Sequence, residues 1–486
     1  MFSQVGIGTV NPDASSVLDV SSTTQGLLTP RMTTAQRTAI VSPANGLMVY
    51  DTDLHAFNYY DSSNSTWNKV VGDNEGRLNY KLIKSTDVLS TVLAAELAAG
   101  SGTKYVMNST TLYEINGNVV FNFPIELNNA YIVGLDSSDD KITKTSGDLF
   151  VGTTGGSIRV LTITVSGGGK VFDIIGTGSI VSGTQTQSLI LRDCIVGGCS
   201  NVGKIENMAF MFLSIVQFIG NTNGIIYKDI SKVLLSNAGW FGNNSGTYET
   251  FQGTFGLVEK VGGFSEVYGA NVGLDLSSNP TITGDGVMES VVYTGILSTG
   301  KFVNGYTTGS YSGYNFDNKW AVRCAGIPNE GDSYATGNLY DSNNTASSRT
   351  TATILNQGYK VVTNATSTSN LYKISSNTTG RLTYLGKKSR TFQVNATISF
   401  LESTSGNNTN YVFYVAKIAT DGTTVTALSA TETFIDTNGG YVQAFPITGT
   451  VQLSTNESVE IYLKRITNPS SPKINIDVFS LNMTLK

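Results

Sequence analysis

The chain has 486 residues, of which only 14% are charged, and its formal net charge is −5. Ser, Thr and Asn together number 153, hydrophobic residues still make up 40%, and there are only 9 Pro. These figures exclude a disordered chain, a collagen, a basic nucleic-acid-binding face and a polybasic membrane patch.

Residues 1–79 are short extended runs separated by turn residues. GLMVYDTD (46–53) followed by AFNYYDSSNSTWNKV (56–70) predicts a β-hairpin, and TTAQRTAI (33–40) predicts one or two helical turns capped by Thr. A block this small is expected to pack its apolar residues against copies of itself. The first residues carry neither a basic stretch nor an apolar one, so no secretory leader is expected. His55 is the single histidine of the chain. That excludes a multi-histidine metal site and leaves triad chemistry without a well-placed base.

Residues 80–104 form a short helix and linker. Ser85 or Thr86 is the expected cap, Asp87 falls in the first turn, and Val88, Leu89, Val92, Leu93 and Leu97 share a face that Gly100 ends.

From 105 to 315 short runs of Val, Ile, Leu and Phe alternate with Gly, Asn, Ser and Asp. Runs starting at 189, 209, 226 and 254 are 20, 17 and 28 residues apart, the coil length of a parallel β-helix. A sandwich would need more two-residue hairpin turns than the segment contains. The most apolar window, 208–219, is too short to cross a membrane, which takes about 20 residues. Cys194, Cys199 and Cys324 read as buried free thiols, with a Cys194–Cys199 bridge as the alternative.

Residues 316–380 are dense in Asn, Ser and Thr and read as a neck with little core of its own. From 381 to 486 regular alternation predicts at least five strands, an antiparallel sandwich of jelly-roll type. The fold class is therefore mainly β: an N-terminal β block, one short helix, a parallel β-helix shaft and a C-terminal jelly-roll sandwich.

Candidate sites are few. NAGWFGNNSGTYETF (237–251) sets Trp240, Phe241 and Tyr248 among amides, the composition of a glycan groove; the alternative is aromatics packed on the shaft. A second cluster, Tyr306, Tyr311, Tyr314, Phe316 and Trp320, reads as interface or domain-junction core. Glycoside hydrolysis needs a carboxylate pair; Asp229, Glu249 and Glu266 lie near aromatics, but no motif pairs them. DSSDDK (136–141) lacks the EF-hand pattern and reads as a solvated turn. ESTSGNNTN (402–410) is either a receptor-contacting loop or a plain connection. No metal or cofactor is expected, and no catalysis.

GIGTVNPDASSVLDVSSTTQGLLTPRMTTAQRTAI, PANGLMVYDTD and AFNYYDSSNSTWNKV resemble the N-terminal segment of fibre and surface-appendage proteins of phages infecting Bacteroidetes. GGKVFDIIGTGS, SLILRDCIVGGCSNVGKIENMAF and GGFSEVYG look like the β-helical shaft of such fibres, and RLTYLGKKSRTFQVNATISF is similar to their jelly-roll tips. The resemblance implies a homotrimeric tail or head fibre on the virion surface. Its N-terminal block would bind other virion proteins and its tip a host surface glycan or protein. A polysaccharide depolymerase on the same scaffold, or a purely structural decoration, are the alternatives.

Overall fold

Alternating apolar runs with few helix formers build strands almost throughout. The computed structural model describes residues 4–70, 79–341, 348–352, 354–403, 408–438, 440–467 and 474–486. Contacts divide the chain into two units, Met1–Leu78 and Asn79–Lys486.

In the first unit, Val5–Ile7 pairs in parallel with Leu18–Val20. Arg31–Met32 pairs in parallel with Met48–Asp51, which continues as an antiparallel meander through Ala56–Asp61 to Thr66–Lys69. The helix Thr34–Thr38 has a capping box in which Thr33 and Gln36 each satisfy the other's backbone. Asp51, fully buried, accepts hydrogen bonds from Arg37 Nε at 2.8 Å and from Thr34 Oγ1. Among the described residues of this unit the buried apolar side chains are Val49 and Ala56 alone, while Val5, Ile7, Val10, Leu27 and Leu28 are at least half exposed. One copy does not cover its own apolar surface.

The second unit begins with a parallel β-helix of three faces. On the first face Ile190 pairs with Phe212, Phe212 with Leu234, Leu234 with Glu259 and Glu259 with Val287, steps of 22, 22, 25 and 28 residues. Each interior column supplies one side chain per coil. The first face contributes Tyr113, Ile132, Ile158, Leu191, Leu213 and Leu235, all buried. The second contributes Val119, Ile142, Ile163, Val196, Phe218 and Trp240. The third contributes Ile125, Phe150, Phe172, Gly203 and Ile225. In the next coil all three columns turn polar together: Lys260, Ser265 and Glu249 follow Leu235, Trp240 and Ile225.

The corner between the first and second faces is a single residue with left-handed backbone. Asp193, Ile215, Asn237 and Gly262 have φ of 55°, 53°, 52° and 67° in successive coils. Asp, Asn and Gly tolerate this conformation, and Ile215 is strained there.

Residues expected to form one helix form two, Leu89–Val92 and Ala94–Ala99. No side chain caps the first, because Asp87 instead accepts the backbone N–H of Lys84 at 2.7 Å. The chain bends at Leu93 so that Leu89 and Leu93 both enter the shaft core, leaving Val88 exposed. Tyr80–Lys84, ahead of these helices, already pairs with Leu112–Asn116 in the shaft sheet.

The shaft ends with Trp320–Ala325, paired in parallel with Gly286–Thr294. A two-sheet antiparallel sandwich follows. One sheet runs Ser367–Tyr372, Thr336–Asp341, Ile474–Leu485, Arg390–Glu402 and Gln443–Leu453, and the other Ile374–Ser375, Leu382–Tyr384, Ser458–Arg465, Asn408–Ile418 and Val425–Ala427. Their inner faces share one core, with Phe400 5.0 Å from Phe413 across it. Residues 316–380 are thus not a neck. They close the shaft and, among the described residues, supply five sandwich strands, including Ser367–Tyr372, whose described partner is Thr336–Asp341 on one side alone. An edge strand with an open outer side needs no apolar residues, so its Ser, Thr and Asn read as linker.

Candidate binding groove at the end of the shaft

The last shaft strands and the loop entering the sandwich enclose a groove of about 530 Å³. One wall is Gly286–Thr294 and Trp320–Ala325; the other is the turn at residues 330–334. Val322 and Glu330 bond each other's backbone, N–H to carbonyl in both directions, which pins that turn to the last coil. Asp332 anchors the sandwich side. Its carboxylate accepts from Lys373 Nζ at 2.9 Å and from the Lys388 backbone N–H at 2.8 Å. Lys387 Nζ reaches back to Asp285 at 2.8 Å and to the Lys319 carbonyl at 2.6 Å. That ammonium holds the Asp285 carboxyl below its ordinary range.

Glu330 is 1% exposed, and its carboxylate accepts the backbone N–H groups of Asn315 and Phe316 at 2.7 and 3.0 Å. Burial pushes this carboxyl up to about 7, against the pull of the two N–H groups. Tyr334, 41% exposed, offers a ring at the rim. Arg323, Lys373, Lys387 and Lys388 balance Asp285, Glu289, Glu330 and Asp332 in charge. The result is an open cleft rich in donors and acceptors of both signs.

Trp240 and Tyr248 lie elsewhere, fully buried inside the shaft. Trp240 stacks on Phe218 with centroids 3.9 Å apart and on Tyr248 at 5.2 Å. Phe241, half-buried, packs edge-on against Phe264. No ligand reaches Trp240 or Tyr248, which corrects the groove expected at 237–251. The amides around them are internal too: Asn221 Nδ2 donates to Asn244 Oδ1 at 3.0 Å, and Asn244 Nδ2 to the Phe218 carbonyl at 2.7 Å. These amides satisfy the corner backbone of successive coils rather than coating the surface.

The second aromatic cluster is junction core. Tyr314 stacks on Tyr372 of the sandwich at 4.0 Å, while Trp320 Nε1 donates to Tyr306 Oη at 3.0 Å inside the shaft. The three carboxylates considered for catalysis each hold a separate partner. Asp229 accepts the Thr254 N–H, Glu266 accepts the Gly242 N–H, and Glu249 pairs with Lys260 in the shaft interior. Asp140 of the acidic turn is buried and accepts three backbone N–H groups, from Gly117, Leu135 and Asp136. Among the described residues no group of three or more His, Cys, Asp or Glu is placed to hold a metal ion. Glu402 is buried beneath Thr409 and Thr437, and residues 404–407 of the expected tip loop lie outside the described residues. All three cysteines are free and buried. No helix among the described residues is long and apolar enough to cross a membrane.

Comparison with known proteins gives one family match. Residues 6–86 match the family described as a phage tail like trimerisation region. The match supports a phage-tail-fibre-like, virion-associated protein that self-associates as a homotrimer. No curated protein matches the sequence. Among solved structures, Eiger TNF from S. frugiperda is similar at 8% identity, covering 31% of this chain and 91% of that chain, with a TM-score of 0.22.

Proposed function

We propose that this chain is the subunit of a homotrimeric tail fibre, carried on the surface of a phage infecting Bacteroidetes, that attaches the virion to a glycan or protein of the host surface. The observation that carries the reading is the order of parts. In chain order, a segment matching a phage tail like trimerisation region comes first, a β-helix shaft second and a two-sheet antiparallel sandwich last. The N-terminal block anchors to other virion proteins, and the shaft end and sandwich face outward. The groove between Gly286–Thr294 and Tyr334 is the proposed ligand site: its balanced charges pair with hydroxyls, and the Tyr334 ring covers a sugar face. The function is attachment without catalysis.

The test uses the full chain. Purified protein is expected to have a trimeric mass, to bind host cells, and to release no reducing ends from host polysaccharide. Tyr334→Ala is expected to weaken binding roughly tenfold, the loss of about 1–2 kcal/mol of ring contact. A monomeric mass or the absence of cell binding overturns the reading. Release of reducing ends replaces it with a depolymerase.

A further inference from the structure

The three outer faces of the shaft differ in charge. The third carries ion pairs coil after coil: Lys104 with Glu126, Lys170 with Asp173, and Lys204 and Lys228 both with Glu206. The second is polar, its outward column running Asn118, Lys141, Thr162, Ile195 and Gln217. The first is different. Its central outward column stacks Tyr80, Leu112, Tyr131, Ile190, Phe212 and Leu234, with Ser157 between Tyr131 and Ile190. Charge first enters this column at Glu259. Beside it, Phe210 stacks on Phe212 with centroids 6.3 Å apart, and the face's charges, Glu114, Arg159, Arg192 and Lys232, stand in the flanking columns rather than in the central one.

We propose that this first face is where three copies of the chain meet along the shaft, from the coil of Tyr80 to that of Leu234. The inference rests on the homotrimer reading and adds the surface that makes the contact. Two observations carry it. Tyr80–Lys84 is at once the first strand of this face and part of residues 6–86, the segment matching a trimerisation region, so the matched segment itself supplies a strand of this face. Around a three-fold axis, moreover, each residue of the central column faces its own copies. A charged column would set like charges against each other, as the third face would, whereas an apolar one buries its side chains at no such cost. Glu259 therefore marks the coil at which close contact ends.

The test places cysteines in the full chain, whose own three thiols are buried. Phe212→Cys and Leu234→Cys lie on the first face and Lys204→Cys on the third; having both first-face variants guards against one that folds poorly. Native mass is measured first, then the samples are oxidised and run without reductant. Expected are trimers throughout, a covalent dimer from the first-face variants, and none from Lys204→Cys. A trimeric mass with a dimer from Lys204→Cys alone overturns the face assignment and leaves the homotrimer standing. So does a first-face cysteine that reacts fully with a bulky maleimide in the trimer, which would free that face for a host ligand. A monomeric mass overturns both readings.

Discussion

The polar coil inside the shaft gives the sharpest test of the packing. Lys260 Nζ and Glu249 Oε2 are 2.6 Å apart, and the two residues are 2% and 1% exposed. Replacing Lys260 with Met keeps the volume of a column in which Leu235 and Met288 are its neighbours, but strands the Glu249 carboxylate. Breaking a buried pair by removing one partner costs about 3–5 kcal/mol. With a guanidinium slope of roughly 5 kcal/mol/M, the unfolding midpoint should fall by roughly 0.7 M. Glu249→Leu combined with Lys260→Met should restore wild-type stability or exceed it, because Ile225 and Leu274 flank Glu249 in its column. The assay is fluorescence of the shaft residues Trp240 and Trp320 during guanidinium unfolding at fixed chain concentration. A single variant as stable as wild type at pH 7, or a double variant as weak as the single one, refutes the reasoning.

Glu330, whose carboxyl burial lifts to about 7, is neutral in the folded and unfolded chain alike at low pH. As pH rises past the unfolded value near 4.5 the unfolded chain loses its proton first, so this contribution to stability is present below that point and drains away up to about 7. Thermal midpoints from pH 4.5 to 7.5 should accordingly fall more steeply for wild type than for Glu330→Gln, and parallel curves would contradict this. Gly203 has φ 104°, and an added Cβ would lie 2.0 Å from the Phe172 carbonyl oxygen, so Gly203→Ala should cost at least about 2 kcal/mol. Gly102→Ala, with φ 75° and nothing within 4 Å, should cost only about 1 kcal/mol in the same denaturation assay. Thr33→Ala breaks the capping box and should destabilise the N-terminal block by about 1 kcal/mol, read from Trp67 fluorescence. Burial lifts the thiols of Cys194 and Cys199 to about 12 and about 11, so neither should react with a thiol reagent in the native protein at pH 8.

The β-helix was legible because each interior column demands one apolar side chain per coil, and Leu191, Leu213 and Leu235 recur at that interval. The sandwich was legible in part: Phe392, Val394, Ala396, Ile398 and Phe400 alternate strictly with outward residues. The shaft corners were hidden because a coil turns on one left-handed residue such as Asp193 or Ile215, with no two-residue turn to announce it. Trp240 was misplaced for a related reason. Its Asn and Gly neighbours resemble a surface loop, yet Asn221 and Asn244 are buried amides bonding backbone between coils. The groove stayed invisible because Asp285, Asp332 and Lys387 meet across more than a hundred residues of chain. Nothing local in the sequence encodes that meeting.

The stacking of coils also fixes how the shaft carries load. Because its strands run across the axis, their hydrogen bonds run along it, at roughly 4.8 Å per coil. A pull on the sandwich reaches each coil interface as tension shared among three ladders in parallel, while successive interfaces bear it in series. The weakest interface then sets the strength of the whole. The coil of Glu249, Lys260 and Ser265, in which three interior columns exchange apolar side chains for one ion pair and a hydroxyl while Phe251, Phe255 and Val258 keep the rest of its interior apolar, is where the shaft should part first under force.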